Sequence, residues 1–299
     1  MNKKLMGSIS LLLATIIWGS AFVSQSIAMK YLGPFSFQAI RCWLAVIGLI
    51  AVIAIFDRFQ HGKKGFFKKW ADKKLWLAGI LCGIPLFLAC NLQQLALVDT
   101  DPGKSGFLTA MYIVIVPIIG IFRKQKPSIM VPISVILAVI GLYCLSCIGV
   151  SSISKGDLLL LACALMFAVQ ITFVDIFVGS VDALRLNTIQ ALVCAILSTL
   201  IALPTEQISW QGIWDCALPL AHVGFLSMGA AYALQILGQK HIEPTVSSLI
   251  MSLESVFAVI FEMIILKQFM TAWEAVGCVL VFAAVILSQI PVKFKKHDK

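Results

Sequence analysis

The sequence predicts an all-α polytopic membrane protein of ten transmembrane helices, arranged as two inverted five-helix repeats. Three observations carry that prediction. Of 299 residues, 60% are apolar and 12% charged, whereas a soluble domain is about half apolar and about a quarter charged. The apolar residues fall into ten runs, and the basic residues concentrate in alternate connections between them. The mean hydropathy of +0.99 agrees. Each span needs roughly 20 apolar residues, so ten spans take about 200 and leave short loops. No stretch is long and polar enough for a separate soluble domain.

The runs lie at about 5–29, 34–56, 75–97, 103–122, 129–150, 156–178, 186–203, 217–238, 244–266 and 271–291. The first follows Met1-Asn-Lys-Lys and resembles a signal peptide, but it is too long for a typical signal core. It reads as the first span. Turn residues and charges separate the others: Leu32-Gly33-Pro34, Asp99-Thr100-Asp101-Pro102-Gly103, Lys126-Pro127-Ser128, Lys155-Gly156-Asp157 and Glu243-Pro244. All runs are too long for membrane strands, so they are helices whose backbone groups are satisfied within the segment.

Basic residues set the orientation. With the N-terminus inside, the cytoplasmic segments hold Lys3, Lys4, seven residues over Arg58–Lys74, three over Arg123–Lys126, Arg185, Lys240 and four from Lys293 onward. The outer segments hold four: Lys30, Lys104, Lys155 and Lys267. That bias of eighteen to four places both termini in the cytoplasm of a cell (inner) membrane. The net charge of +9 is therefore a topology signal rather than a nucleic-acid signal. The Arg58–Lys74 loop interleaves Phe59, Phe66, Phe67 and Trp70, as a segment lying on anionic lipid does.

The halves 1–150 and 151–299 read as two repeats, the second carrying the basic tail. Gly7 and the run to Trp18-Gly19 match Gly156 and the run to Phe167-Ala168; Pro102 and Ser105 match Pro244 and Ser247. The last spans contain Gly141-Leu-Tyr and Gly277-Cys-Val. Five spans is an odd number, so the second copy enters the membrane from the opposite side, an architecture that places a site near the midplane.

Several segments resemble a known family. Leu92-Gln93-Gln94, Thr100-Asp101-Pro102-Gly103-Lys104-Ser105-Gly106-Phe107-Leu108-Thr109, Tyr112, Pro117 and Gly141-Leu142-Tyr143 resemble the fourth- and fifth-helix regions of EamA-type transporters in the drug/metabolite transporter superfamily. Glu243-Pro244 through Leu253-Glu254-Ser255-Val256-Phe257-Ala258, with Gly277, is similar to the ninth and tenth. The resemblance spans nearly the whole chain. It implies a secondary transporter of small polar or amphipathic metabolites, amino acids foremost, with export as the direction. Two departures stand out. Ser255 replaces a Pro common in relatives, which is expected to straighten that helix. Lys267-Gln268 replaces a common Gly-Glu in an outer loop.

Polar side chains in hydrocarbon are expensive and are functional candidates by default. Glu254 lies about ten residues into its span, roughly 15 Å deep. It can carry a proton or meet a cationic group of the cargo; the structural alternative is a protonated Glu bonded to a neighbouring helix. Arg41 can hold a carboxylate or phosphate in a bidentate fork, or snorkel to the outer surface. A shift of 142 residues lays Pro102 on Pro244 and Tyr112 on Glu254, which places Tyr112 near the centre as a hydrogen-bond donor. Thr109 shares a face with Tyr112, Asn91 with Gln94, Trp18 with Phe22 and Gln25, and Tyr232 with Gln235. Together these residues are expected to line a cavity binding a small-molecule substrate, unless they serve only as helix–helix polar contacts. Gln170 and Asp175 sit in the sixth span, Asp175 near its cytoplasmic end. Glu262 lies near the outer end of the ninth and is expected to snorkel.

The remaining chemistry is sparse. Nine cysteines lie in or beside apolar runs, and Cys144-Leu-Ser-Cys147 lacks a second pair or a nearby His, so they read as small core residues. His61, His222, His241 and His297 form no ligand motif. No Ser/His/Asp set or Walker motif is present, so the expectation is a non-enzyme without cofactor, driven by a proton or counter-substrate. The sequence does not specify an oligomeric state. Rival cargo classes are drug-like cations and nucleotide-linked sugars; the latter need several basic residues, and only Arg41 qualifies. A membrane scaffold and an intramembrane enzyme are the non-transport alternatives.

The orientation gives a direct test. On a Cys-depleted background, an impermeant thiol reagent added outside is expected to label Thr100→Cys and miss Gly65→Cys. The reverse pattern contradicts both the orientation and the repeat argument.

Overall fold

The computed structural model describes residues 2–60, 69–125, 128–146, 154–267 and 269–290. Cys147, His61, His297, the loop aromatics Phe66 and Phe67, Lys126-Pro127, Gln268 and the tail from Lys293 lie outside the described residues.

The described chain is helical and carries no strand. Its elements are α1 (Lys3–Ala28), α2 (Pro34–Gln60), α3 (Lys73–Ala96), α4 (Pro102–Ala110), α5 (Tyr112–Phe122), α6 (Met130–Ser146), α7 (Lys155–Phe177) and α8 (Ala183–Thr205). A short α9 (Trp210–Asp215) and α10 (Ala217–Ala221) lead into a π-helical segment (His222–Ala231), followed by α11 (Tyr232–Gln239). The chain then forms α12 (Pro244–Met251), α13 (Leu253–Leu266) and α14 (Ala272–Ser288). Among the described residues, eight helical stretches are long and apolar enough to cross a membrane; α6 and α14 are shorter apolar helices. The helix of the expected run 271–291 is thus shorter at both ends, and α6 begins at Met130 in the expected run 129–150, whose last residues lie outside the described residues.

Helix starts follow local chemistry. Asp72 caps α3, Asp182 caps α8, and Ser154 with Asp157 forms a capping box on α7, as Thr271 with Glu274 does on α14. Proline opens α4 and α12, where its missing N–H costs nothing.

Among the described residues, three membrane helices are interrupted. α4 gives way to α5 at Met111, upstream of Pro117, whose ring disturbs the preceding turn. α12 gives way to α13 at Ser252. There the Ser248 and Ser252 hydroxyls donate to the Thr245 and Leu249 carbonyls, a bonding pattern that bends helices. Ser255 therefore does not yield a straight helix; its hydroxyl instead donates to the Gly106 carbonyl at 2.8 Å. The third interruption is the π segment, anchored by His222, whose ring nitrogens lie 3.1 and 2.9 Å from the Ser20 and Ser24 hydroxyls of α1.

Equivalent helices of the two halves pack antiparallel. Gly141 of α6 lies against Leu280 and Val281 of α14, and Gly277 against Leu145. Gly103 and Gly106 of α4 lie beside Glu262 and Ser255 of α13. At one end of the α2–α8 pair, Glu206 accepts from the backbone N–H groups of Phe35 and Ser36, at 3.0 and 2.7 Å. At the other end Asp57 pairs with Arg185, which also stacks over Trp70. Each helix of this pair thus brings a carboxylate to the N-terminal end of its partner, where the backbone dipoles favour negative charge. Two further ion pairs join α7 to its neighbours: Lys104–Asp157 at 2.7 Å and Arg123–Asp175 at 2.8 Å. Side chains such as Ile47, Leu200, Ile136 and Val279 remain exposed, as a lipid-facing surface requires, and Trp210 and Trp214 of α9 form an exposed aromatic rim.

The α1–α13 contact is backbone-close: a Cβ on Gly19 would sit 2.8 Å from the Ala258 nitrogen, which cannot move aside. Gly19→Ala is expected to destabilise by about 1–3 kcal/mol, read as a lower melting temperature in detergent. An unchanged melting temperature contradicts this packing.

Candidate functional site

The interrupted helices converge on a central cavity, with about 470 Å³ of atom-free space when its solvent-open part is included. Its walls are built almost wholly by α1, α3, α5, α7, the π segment with α11, and the α12–α13 junction, with Arg41 reaching in from α2. Much of the lining consists of repeat-related pairs. A shift of 149 residues relates Trp18 to Phe167 and Phe22 to Ile171; a shift of 142 relates Gln93 to Gln235 and Tyr112 to Glu254. Gln25, Arg41, Gln170, Ser227, Tyr232 and Met251 complete the lining.

Seven of the ten residues singled out from sequence face this space: Trp18, Gln25, Arg41, Tyr112, Tyr232, Gln235 and Glu254. Three do not. Asn91 turns toward α8, donating to the Ser198 hydroxyl at 2.9 Å and the Phe87 carbonyl at 2.8 Å, so it joins helices. Gln94 is fully buried outside the lining. Thr109 sits behind Gln93, whose Nε2 donates to its hydroxyl at 3.1 Å. The Asn91/Gln94 face is therefore not the one turned to the cavity; the adjacent Gln93 is. Applying the 142 shift to Gln235 identifies Gln93 directly. Gln170, unassigned from sequence alone, also enters through its wall.

The electrostatics are polarised. Arg41 does not snorkel: it is 3% exposed, its Nη1 donates to Gln25 Oε1 at 2.5 Å, and its guanidinium lies 5.8 Å from the Phe37 ring centroid. Its Nε and the Trp18 indole N–H have no hydrogen-bond partner among the described residues. Glu254, 6% exposed, accepts from the Tyr112 hydroxyl at 3.0 Å, the contact expected from the repeat. Among the described residues neither Arg41 nor Glu254 is ion-paired. Gln235 Oε1 likewise has no partner. The first half thus offers spare donors at Trp18 and Arg41, and the second half offers acceptors at Gln235 and Glu254. The apolar part is aromatic, with Trp18 packed edge-on against Tyr232 at 5.0 Å and Tyr112 against Phe167 at 6.5 Å.

A helical bundle of two related halves, with a polar cavity lined by membrane-length helices, defines the class of protein: a polytopic membrane protein with a central polar cavity. The model of the EamA-like transporter family matches residues 5–147 and 154–289, and the chain belongs to that family. An uncharacterized transporter of Archaeoglobus fulgidus is 29% identical over 296 residues, covering 97% of this chain and 88% of the relative. The uncharacterized transporter YoaV of Bacillus subtilis is 20% identical over 298 residues, covering 96% and 97%. A protein crystal structure shares the fold with a TM-score of 0.78 at 16% identity, covering 95% of this chain and 96% of the other. The protein is accordingly a membrane transporter by family, and its relatives are named as transporters rather than enzymes.

Proposed function

We infer that the protein is a secondary active exporter of small zwitterionic or amphipathic metabolites, amino acids and related compounds foremost. It works by alternating access through ten spans in two inverted repeats, with both termini cytoplasmic. The observation that carries this reading is the pair Arg41 and Glu254, one cation and one carboxylate buried in the same cavity without ionic partners. Burying either charge uncompensated is costly, and a cargo bearing a carboxylate and an ammonium compensates both. Its carboxylate would lie on the Arg41 fork beside the Trp18 N–H, and its ammonium between Glu254 and Gln235 Oε1. The rings of Phe22, Phe167 and Tyr232 would hold an apolar side chain. A nucleotide-linked sugar fits less well, because Arg41 is the cavity's sole cation among the described residues. Export as the direction rests on the family resemblance.

Glu254 has a second role in this reading. In a dry, empty cavity the carboxyl carries a proton; when the cavity fills with water or cargo the ionised form becomes affordable. The proton count then differs between states, which couples flux to a proton gradient.

Two variants test the reading in proteoliposomes. Arg41→Lys keeps the charge but loses the planar fork. Transport of a labelled mixture of the common L-amino acids is expected to fall at least tenfold with normal membrane expression; unchanged flux removes Arg41 from the site. Glu254→Gln keeps the size and mimics the neutral form. It is expected to fold and, with the counter-charge of the cargo ammonium gone, to bind cargo more weakly, while its flux loses pH dependence. Wild-type flux with the wild-type pH profile makes the carboxylate structural.

A further inference from the structure

Deep in the bundle, a chain of side-chain amides leads from the cavity wall to the π segment. Gln235 Nε2 donates to Gln170 Oε1 at 3.1 Å, and Gln170 Nε2 to Gln190 Oε1 at 3.2 Å. Gln190 Nε2 donates to Asn187 Oδ1 at 2.8 Å. Asn187 Nδ2 donates to the Met228 and Gly229 carbonyls at 3.2 and 2.8 Å. A second, shorter branch runs from Gln235 Nε2 to Gln239 Oε1 at 3.0 Å, and from Gln239 Nε2 to the Ile171 carbonyl at 3.0 Å. All five side chains are buried.

An amide can in general be turned either way, its oxygen and nitrogen exchanged. Here both branches end on backbone carbonyls, and a carbonyl only accepts. Asn187 must therefore point its nitrogen at Met228 and Gly229 and its oxygen at Gln190. Gln190 must then donate to Asn187 and accept from Gln170, and Gln170 must donate to Gln190 and accept from Gln235. The Ile171 carbonyl imposes the same sense through Gln239. Both hydrogens of the Gln235 amide are thereby committed to the protein, and its oxygen, buried and unpartnered, is left for the cavity.

We propose that Asn187, Gln190 and Gln239 are positioning residues that fix the hydrogen-bond polarity of the cargo site, so that Gln235 presents an acceptor and the cargo must bring a donor there. None of the three lines the cavity. The π segment is part of the device. Its looser winding displaces backbone groups from the regular helical pattern, and two of its carbonyls serve as the anchor of the longer branch. The proposal rests on the cavity being the cargo site, and it adds why that site rejects cargo lacking a donor: such a molecule leaves the Gln235 oxygen desolvated and unpaired.

The test uses the full chain in lipid nanodiscs and in proteoliposomes. The variants are Gln190→Leu, which cuts the long branch, Gln239→Leu, which cuts the short one, and the double variant; if the double does not fold, the singles decide. The Gln235 side-chain amide is followed by nitrogen-15 NMR of glutamine-labelled protein, assigned through its loss in Gln235→Leu. Its exchange with D2O is expected to accelerate about threefold in each single variant and about tenfold or more in the double, because Gln239→Leu removes one acceptor of the Gln235 amide and Gln190→Leu frees Gln170 to turn its oxygen away from it. In proteoliposomes, counterflow of labelled L-amino acids is competed with the same amino acids or with the matched 2-oxo acids, which lack the amino donor. The preference for the amino acids is expected to fall about tenfold in the double variant, or about threefold in a single, with maximal rate less affected. Unchanged amide exchange in every variant overturns the proposal, as does accelerated exchange with unchanged preference. Accelerated exchange in a protein whose wild type moves none of the amino acids leaves the fixed amide polarity standing and refutes the amino-acid reading instead.

Discussion

Hydrocarbon offers no hydrogen bonds, and that constraint organises this molecule. A backbone group freed within the membrane must find its partner inside the protein. Most of the chain meets the requirement with unbroken helix. At the interruptions at Met111, at Ser252 and over His222–Ala231 the backbone keeps short-range bonds, such as Val114 N–H to the Met111 carbonyl and Ser255 N–H to the Ser252 carbonyl, and side chains from other parts of the chain bond beside them. Ser255 answers the Gly106 carbonyl, Asn187 answers Met228 and Gly229, and Tyr112 and Glu254, at the first turns of α5 and α13, answer each other. The polar interior is thus concentrated where the helices break, which is also where the cavity lies.

Repetition explains the placement, and divergence between the copies explains the chemistry. Residues related by the two shifts line the same cavity, so duplication alone supplies it with matched walls. A symmetric lining would offer the same group twice. Tyr112 at the position equivalent to Glu254, and Trp18 at the position equivalent to Phe167, break that symmetry, and Arg41 of α2 has no charged counterpart in the lining. The outcome is a donor wall from one half and an acceptor wall from the other. Such a site suits a ligand that is itself polar at both ends.

The fold was legible because composition and basic-residue bias act over whole segments, and an apolar run of twenty residues admits few structures. Glu254 and Tyr112 were legible together because one register shift relates them and both fall at mid-span. Facing was harder. In α3 the residues Asn91, Gln93 and Gln94 are all polar, and the surrounding positions are apolar on every side, because one face meets protein and another meets lipid. Periodicity therefore does not say which amide turns inward, and pairing Asn91 with Gln94 chose the face away from the cavity. The π segment left no signal at all in its own sequence, since what sustains it, His222 against α1 and Asn187 of α8, is contact with distant helices.

The α4–α5 and α12–α13 interruptions also bear on how the site could be exposed to either side. These equivalent helices cross antiparallel, so α4 packs on α13 and α5 on α12. Each half-helix therefore belongs to a pair containing one segment from each repeat, and both breaks lie at the level of Tyr112 and Glu254. A change of angle at the breaks would carry one such pair away from the bundle axis while leaving the other in place. The Tyr112–Glu254 hydrogen bond spans the junction between the two pairs, so it must stretch or re-form as the angle changes. In the proposed cycle, cargo that engages Glu254 competes with Tyr112 for the same carboxylate. Binding would then loosen a polar contact that ties the two pairs together, which links occupancy of the cavity to the motion that opens it.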